Sequence, residues 1–186
     1  MSLTALWLPI LVSTVFVFIA SNLVWMVLQL HKKDWDPLPD EEAFAEAING
    51  MKAGRGEYSF PFAADTAAWK SDEWQAKFKR GPVGFLTLQT PGEMNMGKMM
   101  GSWIAYIVII QIFVAYLTGL ALGAGAHYLQ VFQIAGTAAI LGFAGAVPPE
   151  AIWMGRKWSN VFGHMRDGIL YGLITAGTFG WLWPAA

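Results

Sequence analysis

Cysteine is absent from all 186 residues of the chain. Its absence excludes a disulfide framework, a thiolate nucleophile and any zinc or iron–sulfur centre held by thiolates. Charge is also scarce, since charged residues make up 13% of the chain against about a quarter in an ordinary soluble domain. The net charge of −1 predicts no nucleic-acid partner, because phosphate binding needs a basic surface. For a chain that is 55% hydrophobic, the lipid bilayer is the remaining solvent.

Four long apolar runs, uncharged over residues 5–30, 102–124, 128–147 and 168–183, predict four transmembrane helices, since about 20 apolar residues are needed to cross the hydrocarbon core. The predicted spans cover about residues 5–30, 102–124, 128–147 and 160–183, with Ser159 as the N-cap of the last. The first run does not have the pattern of a signal peptide, because it lacks a positively charged start and its apolar stretch is too long.

The basic residues predict the orientation of these spans. All 12 Lys and Arg residues lie between the first and second spans or between the third span and Gly168, where the uncharged part of the fourth begins. Basic residues near membrane helices are retained on the cytoplasmic side. We therefore expect an all-α protein of the bacterial inner membrane, N-out and C-out, that forms a single integral membrane domain over residues 1–186.

The polar segment 31–101 is predicted to be a cytoplasmic cap made of short amphipathic helices. The signals are Asp40 as N-cap and Gly50 as stop for one helix, and Ser71 as N-cap, an ion pair between Glu73 and Lys77, and Gly81 as stop for another. Residues 83–89 alternate weakly, as in a strand. We expect these pieces to lie over the helix bundle.

Small residues spaced four apart predict where the helices pack, because close backbone approach drives association in lipid. They form one ridge on each of the last three spans. The ridges are Ala115, Gly119 and Gly123; Ala138, Gly142 and Ala146; and Gly168, Gly172, Ala176 and Gly180.

Tryptophan is abundant, with ten residues, and it is typical of the two membrane interfaces. The residues predicted as interface anchors are Trp7, Trp103, Trp153, Trp158, Trp181 and Trp183. The first span is hydrophobic on nearly every face, and the sequence leaves open whether it faces lipid or a partner.

Two histidines, His31 and His164, fall near the predicted inner interface and are the candidate cofactor ligands. Neutral imidazole ligates haem iron and other metals, so a subunit that binds a haem or a chlorophyll-type pigment is the first alternative, although no cofactor is predicted. His164 and Asp167 have helical spacing, but no third ligand accompanies them, and no metal site is predicted. No catalytic constellation is present, so we do not expect an enzyme.

A small neutral-solute transporter or channel is a second alternative, with Gln111, Gln133 and Asn22 as its polar lining. Against it, no ionisable residue lies within the apolar part of a predicted span; Glu150, Arg166 and Asp167 fall at the inner ends. No inverted repeat is visible either.

Three stretches resemble a family of small, uncharacterised bacterial four-helix inner-membrane proteins. They are Asp36-Pro-Leu-Pro-Asp-Glu, Gly81-Pro-Val-Gly-Phe-Leu-Thr, and the end of the chain from Asp167-Gly to Trp183-Pro. The resemblance implies the fold and assigns no functional residue. We expect a non-catalytic accessory subunit whose partners are the bilayer and other membrane subunits, in a respiratory or photosynthetic energy-converting assembly.

Overall fold

A computed structural model describes residues 1–186, and the chain divides into two compact units. The first comprises Met1–Trp35, Asn95–Ile152 and Arg156–Ala186, and the second comprises Asp36–Met94 and Trp153–Gly155. The polar segment predicted over 31–101 is therefore longer than the second unit, because its first five and last seven residues belong to the first unit.

Four long helices make up the first unit. Helix α1 spans Trp7–Asn22, preceded by a 3₁₀ turn at Leu3–Leu6 and followed by a π-helical turn at Leu23–Val27. The others, named α5, α6 and α8 by their order in the chain, span Met96–Ala121, Tyr128–Ala144 and Trp158–Trp181. A short helix, α7, spans Pro148–Met154. Each long helix packs against two others, α1 and α6 each lying between α5 and α8.

Three helical stretches are long and apolar enough to cross a membrane: Leu3–Val27, Met96–Ala121 and Tyr128–Met154. Helix α8 is long enough at 24 residues, but Arg166, Asp167 and its glycines lower its mean hydropathy. The helix also begins before the predicted N-cap, since Ser159 is its second residue and Lys157 occupies the N-cap position.

Helices α6 and α8 run antiparallel along a seam of small residues. A Cβ atom placed on Gly168 would lie 2.8 Å from the Cβ of Ala144, and one on Gly172 would lie 2.4 Å from Cγ1 of Ile140. Further along, Gly180 faces the ring of Tyr128 in the same way. Glycine therefore allows the two backbones to approach, which in lipid is the main route to helix association.

The predicted ridges of α5 and α6 pack against different parts of the chain. Gly119 lies against Leu6, and Ala115 is fully buried. Gly142 faces Ile110 of α5 rather than α8, and Ala138 is partly buried beside the same core. The ends of these two ridges do not pack: Gly123 and Ala146 lie beyond their helices and are exposed.

The side of α6 that meets α8 carries Gly136, Ile140 and Ala144, which the predicted ridge of α6 does not include. A Cβ on Gly136 would lie 3.0 Å from that of Ala176. The small-residue spacing predicted the right helices but missed this side, because a large residue, Ile140, interrupts it.

The second unit holds short elements at almost the predicted places. Its helices are α2 (Glu41–Gly50), α3 (Thr66–Lys70) and α4 (Asp72–Arg80), and its strands are β1 (Gly56–Phe60) and β2 (Gly84–Leu88). Asp40 and Ser71 are N-caps that accept from Ala43 N and Trp74 N, and Glu73 pairs with Lys77 at 2.6 Å, as predicted.

The all-α prediction is wrong in this unit, because the strand predicted at 83–89 pairs with a second strand. Strands β1 and β2 are antiparallel, with Tyr58 opposite Leu86. The partner β1 was missed because its five residues include Gly56 and Glu57, which are depleted in strands.

Candidate functional site

All the charged side chains of the first unit lie at one end of its helix bundle. This end brings together the end of α1, the start of α5, the end of α6 and the first turns of α8. At the opposite end, the α5–α6 turn meets the C-terminal residues, where Gly125 N donates to Pro184 O and Trp183 Nε1 donates to Gly123 O. No Lys, Arg, Asp or Glu lies there.

His31 is the centre of the charged end. Its Nδ1 lies 2.7 Å from Oδ2 of Asp34, and its Nε2 lies 2.5 Å from Oδ2 of Asp167. Neutral imidazole carries one proton and an ionised carboxylate carries none. Hydrogen bonds from His31 to both ionised carboxylates therefore need a proton on each ring nitrogen, which is one more than neutral imidazole carries.

His164 lies on the other side of Asp34. Its Nε2 is 3.2 Å from Oδ2 of Asp34 and 2.6 Å from Nη2 of Arg156. A guanidinium has donors only, so Nε2 of His164 accepts from Arg156. Arg156 also pairs with Glu150.

The charges joined by these contacts come close to balance. The network contains three carboxylates, those of Asp34, Glu150 and Asp167, and two guanidinium groups, those of Arg156 and Arg166. Nη2 of Arg166 lies 3.1 Å from Oδ1 of Asp167. With both imidazoles neutral the sum is −1. The extra proton that the two hydrogen bonds of His31 require brings it to zero.

Trp25, in the turn after α1, and Asn160, in α8, enclose the network. Trp25 stacks on His31, with ring centroids 4.1 Å apart. Asn160 donates from Nδ2 to the backbone oxygen of Asp34 at 2.8 Å, which fixes the turn after α1 to α8. His31 and Asp167 are each only 4% exposed, so the carboxylate of Asp167 needs its partners to offset the loss of water.

Beside the network lies a cavity of about 600 Å³ within the first unit. Its wall is mostly apolar and includes Trp25, Met99, Met100, Trp103 and Phe143, with His164 and Tyr171 also among the lining residues. Mostly apolar walls with a few polar groups are typical of small-molecule sites.

Tyr171 has a buried hydroxyl without a hydrogen-bond partner. The indole of Trp25 approaches it without the geometry of a hydrogen bond. The side chain is 4% exposed, and leaving such a group unpaired costs about 1–3 kcal/mol. Tyr171 thus lines the cavity as a residue, while its hydroxyl oxygen lies just behind the surface and has no hydrogen-bond partner.

The two predicted histidine ligands do come together, but their arrangement does not fit a haem between them. Their ring centroids lie 4.6 Å apart. Two axial imidazoles on opposite faces of one metal, each with a bond of about 2.0 Å, have centroids about 6 Å apart. A porphyrin therefore has no room between these rings.

The polar residues proposed for a solute path do not converge. Gln111 is fully buried and donates to Thr175 Oγ1 at 2.8 Å, whereas Gln133 is exposed. Asn22 donates to Phe18 O and lines the cavity.

The predicted interface tryptophans are mostly exposed. Trp7, Trp153, Trp158 and Trp181 have exposures of 61%, 74%, 48% and 68%. Trp103 is half-buried and donates from Nε1 to Ser21 Oγ at 2.9 Å, so it also fixes α5 to α1.

Sequence reasoning missed Asp34, which is the third ligand-type residue beside His31 and His164. A signal was present, because the pattern His-x-x-Asp occurs twice, at His31 and at His164. In the fold, His31 contacts the aspartate of its own copy, Asp34, and the aspartate of the other copy, Asp167.

Comparison with protein-family models, curated proteins and solved structures finds no match for the chain.

Proposed function

We propose that this protein is a four-span subunit of a larger bacterial inner-membrane complex, and that its non-catalytic role is to hold a small apolar molecule at the charged end of its bundle. The ligand class is a membrane-dissolved compound with a hydrogen-bond acceptor, such as a quinone carbonyl. The observation that carries this proposal is the mostly apolar cavity lined by Tyr171, a residue whose buried hydroxyl has no hydrogen-bond partner.

The fourth span of the proposal is α8. It packs along α6 through Gly168, Gly172 and Gly180, and its 24 residues extend about 36 Å at 1.5 Å per residue. Arg166 and Asp167 lie near the level of Ala144, where α6 ends. The part of α8 beyond them is uncharged, as a membrane-embedded helix requires.

The absence of cysteine makes the topology directly testable. Single cysteines replace Ala124 in the α5–α6 turn, Ser2 near the N-terminus and Ala53 in the second unit, and intact cells are treated with a membrane-impermeant maleimide. We expect labelling at the first two positions and none at Ala53→Cys until the cells are lysed. Labelling of Ala53→Cys in intact cells, or protection of the other two, overturns the N-out and C-out assignment.

The ligand proposal follows from matching the cavity to its donor. Apolar walls favour a mostly apolar ligand. A buried hydroxyl without a hydrogen-bond partner favours a ligand that carries an acceptor. With Nε2 of His164 accepting from Arg156, the neutral ring keeps its proton on Nδ1. Two of the residues that line the cavity, His164 and Tyr171, therefore carry a side-chain donor, and a carbonyl compound matches such a lining.

Menadione is a suitable probe, since it is apolar, carries two carbonyls and quenches tryptophan, and Trp25 and Trp103 line the cavity. The experiment titrates the full chain in lipid nanodiscs and separates saturable quenching from the linear quenching caused by partitioning. Tyr171→Phe is expected to weaken saturable binding about 3- to 10-fold, the effect of one hydrogen bond. Tyr128→Phe, at the opposite end, is the matched control.

Purely linear quenching, or equal affinities in the wild type and Tyr171→Phe, contradicts the ligand proposal. The absorption spectrum of the same purified protein tests the pigment alternative. Visible bands that are lost in His31→Ala or His164→Ala favour a bound pigment.

The subunit proposal rests on the small size of the bundle and on its extensive exposed apolar surface, such as Leu11, Phe113 and Leu120 at 53%, 61% and 68% exposure. Purification in a mild detergent is expected to recover the chain with a larger membrane protein. Recovery of a free monomer alone contradicts the subunit role and leaves the menadione test unaffected.

A further inference from the structure

We propose that His31, Asp34 and His164 form a binding site for a divalent cation of the zinc type. One ligand atom from each of the three residues lies within 4.8 Å of the others. The site adjoins the cavity but does not depend on the ligand proposed for it. Its ligands are Nδ1 of His31, Oδ2 of Asp34 and Nε2 of His164.

The distances between these atoms are close to those around a coordinated metal. Oδ2 of Asp34 lies 2.7 Å from Nδ1 of His31 and 3.2 Å from Nε2 of His164. Ligands at about 2.0–2.2 Å from a tetrahedral zinc lie about 3.4 Å apart. The His31–Asp34 pair must open by about 0.7 Å and the Asp34–His164 pair by about 0.2 Å to reach this spacing.

Asp167 completes the arrangement from behind the site. Its Oδ2 lies 2.5 Å from Nε2 of His31, the ring nitrogen that does not face the other ligands. Histidines that bind metals usually donate their second N–H to a carboxylate, which fixes the tautomer and makes the ligating nitrogen more basic. Asp167 thus acts as a positioning residue and not as a ligand.

Arg156 is the built-in competitor for the cation. Its Nη2 lies 2.6 Å from Nε2 of His164, the lone pair that the metal needs. The pairing with Glu150 gives the guanidinium another partner when it leaves. Nε2 of His164 can therefore bind either the cation or Arg156, but not both at the same time.

Both ligating nitrogens must present a lone pair to the metal. On His31 the ligating nitrogen is Nδ1, and Nε2 is left to donate to Asp167.

The donor set decides the class of cation. Two imidazole nitrogens and one carboxylate suit Zn²⁺ and neighbouring first-row ions rather than Ca²⁺ or Mg²⁺, which prefer oxygen. Three protein ligands leave a fourth position open, which here adjoins the cavity that His164 lines.

The test uses the full chain in detergent with its affinity tag removed. The sequence has three histidines and no cysteine, so background binding by soft ligands is low. Isothermal titration with ZnCl₂ is expected to show one saturable site per chain. Co²⁺ reports the coordination by its visible spectrum.

Four variants separate the roles. His164→Ala is expected to weaken binding at least about 100-fold, and Asp167→Asn about 10- to 100-fold. Arg156→Gln is expected to tighten binding about tenfold, because it removes a positive charge from the ligand. His127→Ala, at the opposite end of the bundle, is the matched control and should match the wild type.

A gain of affinity in Arg156→Gln cannot arise from misfolding, so the proposal stays testable even if the loss-of-ligand variants unfold. Absence of a saturable site in the wild-type chain overturns the proposal. Binding that survives both His31→Ala and His164→Ala, or that depends on His127, overturns it equally.

Discussion

His31 and Asp167 are 136 residues apart in the chain, yet Nε2 of the first lies 2.5 Å from Oδ2 of the second. This contact joins the turn after α1 to α8 in a place that water hardly reaches. It adds a specific polar contact between two helices whose other contacts are mostly apolar.

Removing one member of this buried pair should be costly. Asp167→Ala leaves His31 and Arg166 without their carboxylate and is expected to destabilise the protein by about 3–5 kcal/mol. Thermal unfolding in detergent, followed by circular dichroism, measures the change. Arg166→Ala is the control and should cost less than about 1 kcal/mol, because the Arg166 side chain is 56% exposed.

The α6–α8 seam predicts opposite effects for two glycines of one helix. Gly172→Ala places a Cβ 2.4 Å from Ile140, and overpacking of this kind costs about 1–3 kcal/mol. At Gly177 the nearest atom, the Tyr128 hydroxyl oxygen, is 3.8 Å away. Gly177→Ala should therefore keep or slightly raise the unfolding temperature, since alanine favours a helix; equal losses at both sites contradict the seam.

The buried amide of Gln111 should couple to Thr175. Its Nε2 donates to Thr175 Oγ1 at 2.8 Å, and its Oε1 has no partner. A double-mutant cycle with Gln111→Leu and Thr175→Val is expected to give a coupling free energy of about 0.6–1.7 kcal/mol. Additive effects of the two changes count against this hydrogen bond.

Tyr171→Phe should separate stability from ligand binding. The change removes a buried hydroxyl that lacks a partner, so the protein without ligand should unfold at the same or a higher temperature. The same variant is expected to bind menadione more weakly. A marked loss of stability indicates that the hydroxyl already has a partner, such as water.

The ion pair on α4 predicts a pH effect outside the membrane helices. The hydrogen bond and charge of Lys77 hold the pKa of the Glu73 carboxyl below its ordinary value. Any stability that this pair adds is present above the ordinary carboxyl pKa and is lost as the pH falls through the lowered value. In an NMR titration, Lys77→Gln should raise the pKa of Glu73, whereas Lys79→Gln should leave it nearly unchanged.

Local signals predicted the fold well where one residue decides an outcome. Asp40 and Ser71 cap their helices as expected, because an N-cap depends only on the next three residues. The strand β1 and the Gly136 side of α6 were missed, since their stability comes from partners elsewhere in the chain.

The candidate site was only half predictable for the same reason. The sequence predicts that His31 and His164 lie at the same end of the bundle, but their meeting at Asp34 depends on how α1 lies against α8. The Tyr171 hydroxyl gives no signal in the sequence, because its lack of a partner is a property of packing.

The uncharged end of the bundle has a consequence for biogenesis. In the proposed topology, the segments that pass through the bilayer during insertion are the two ends of the chain and the α5–α6 turn, and none carries a Lys, Arg, Asp or Glu side chain. Each such charge carried across would add about 2.5–3.5 kcal/mol at the bilayer centre. In this topology, insertion thus moves no side-chain charge of these segments through the membrane electric field.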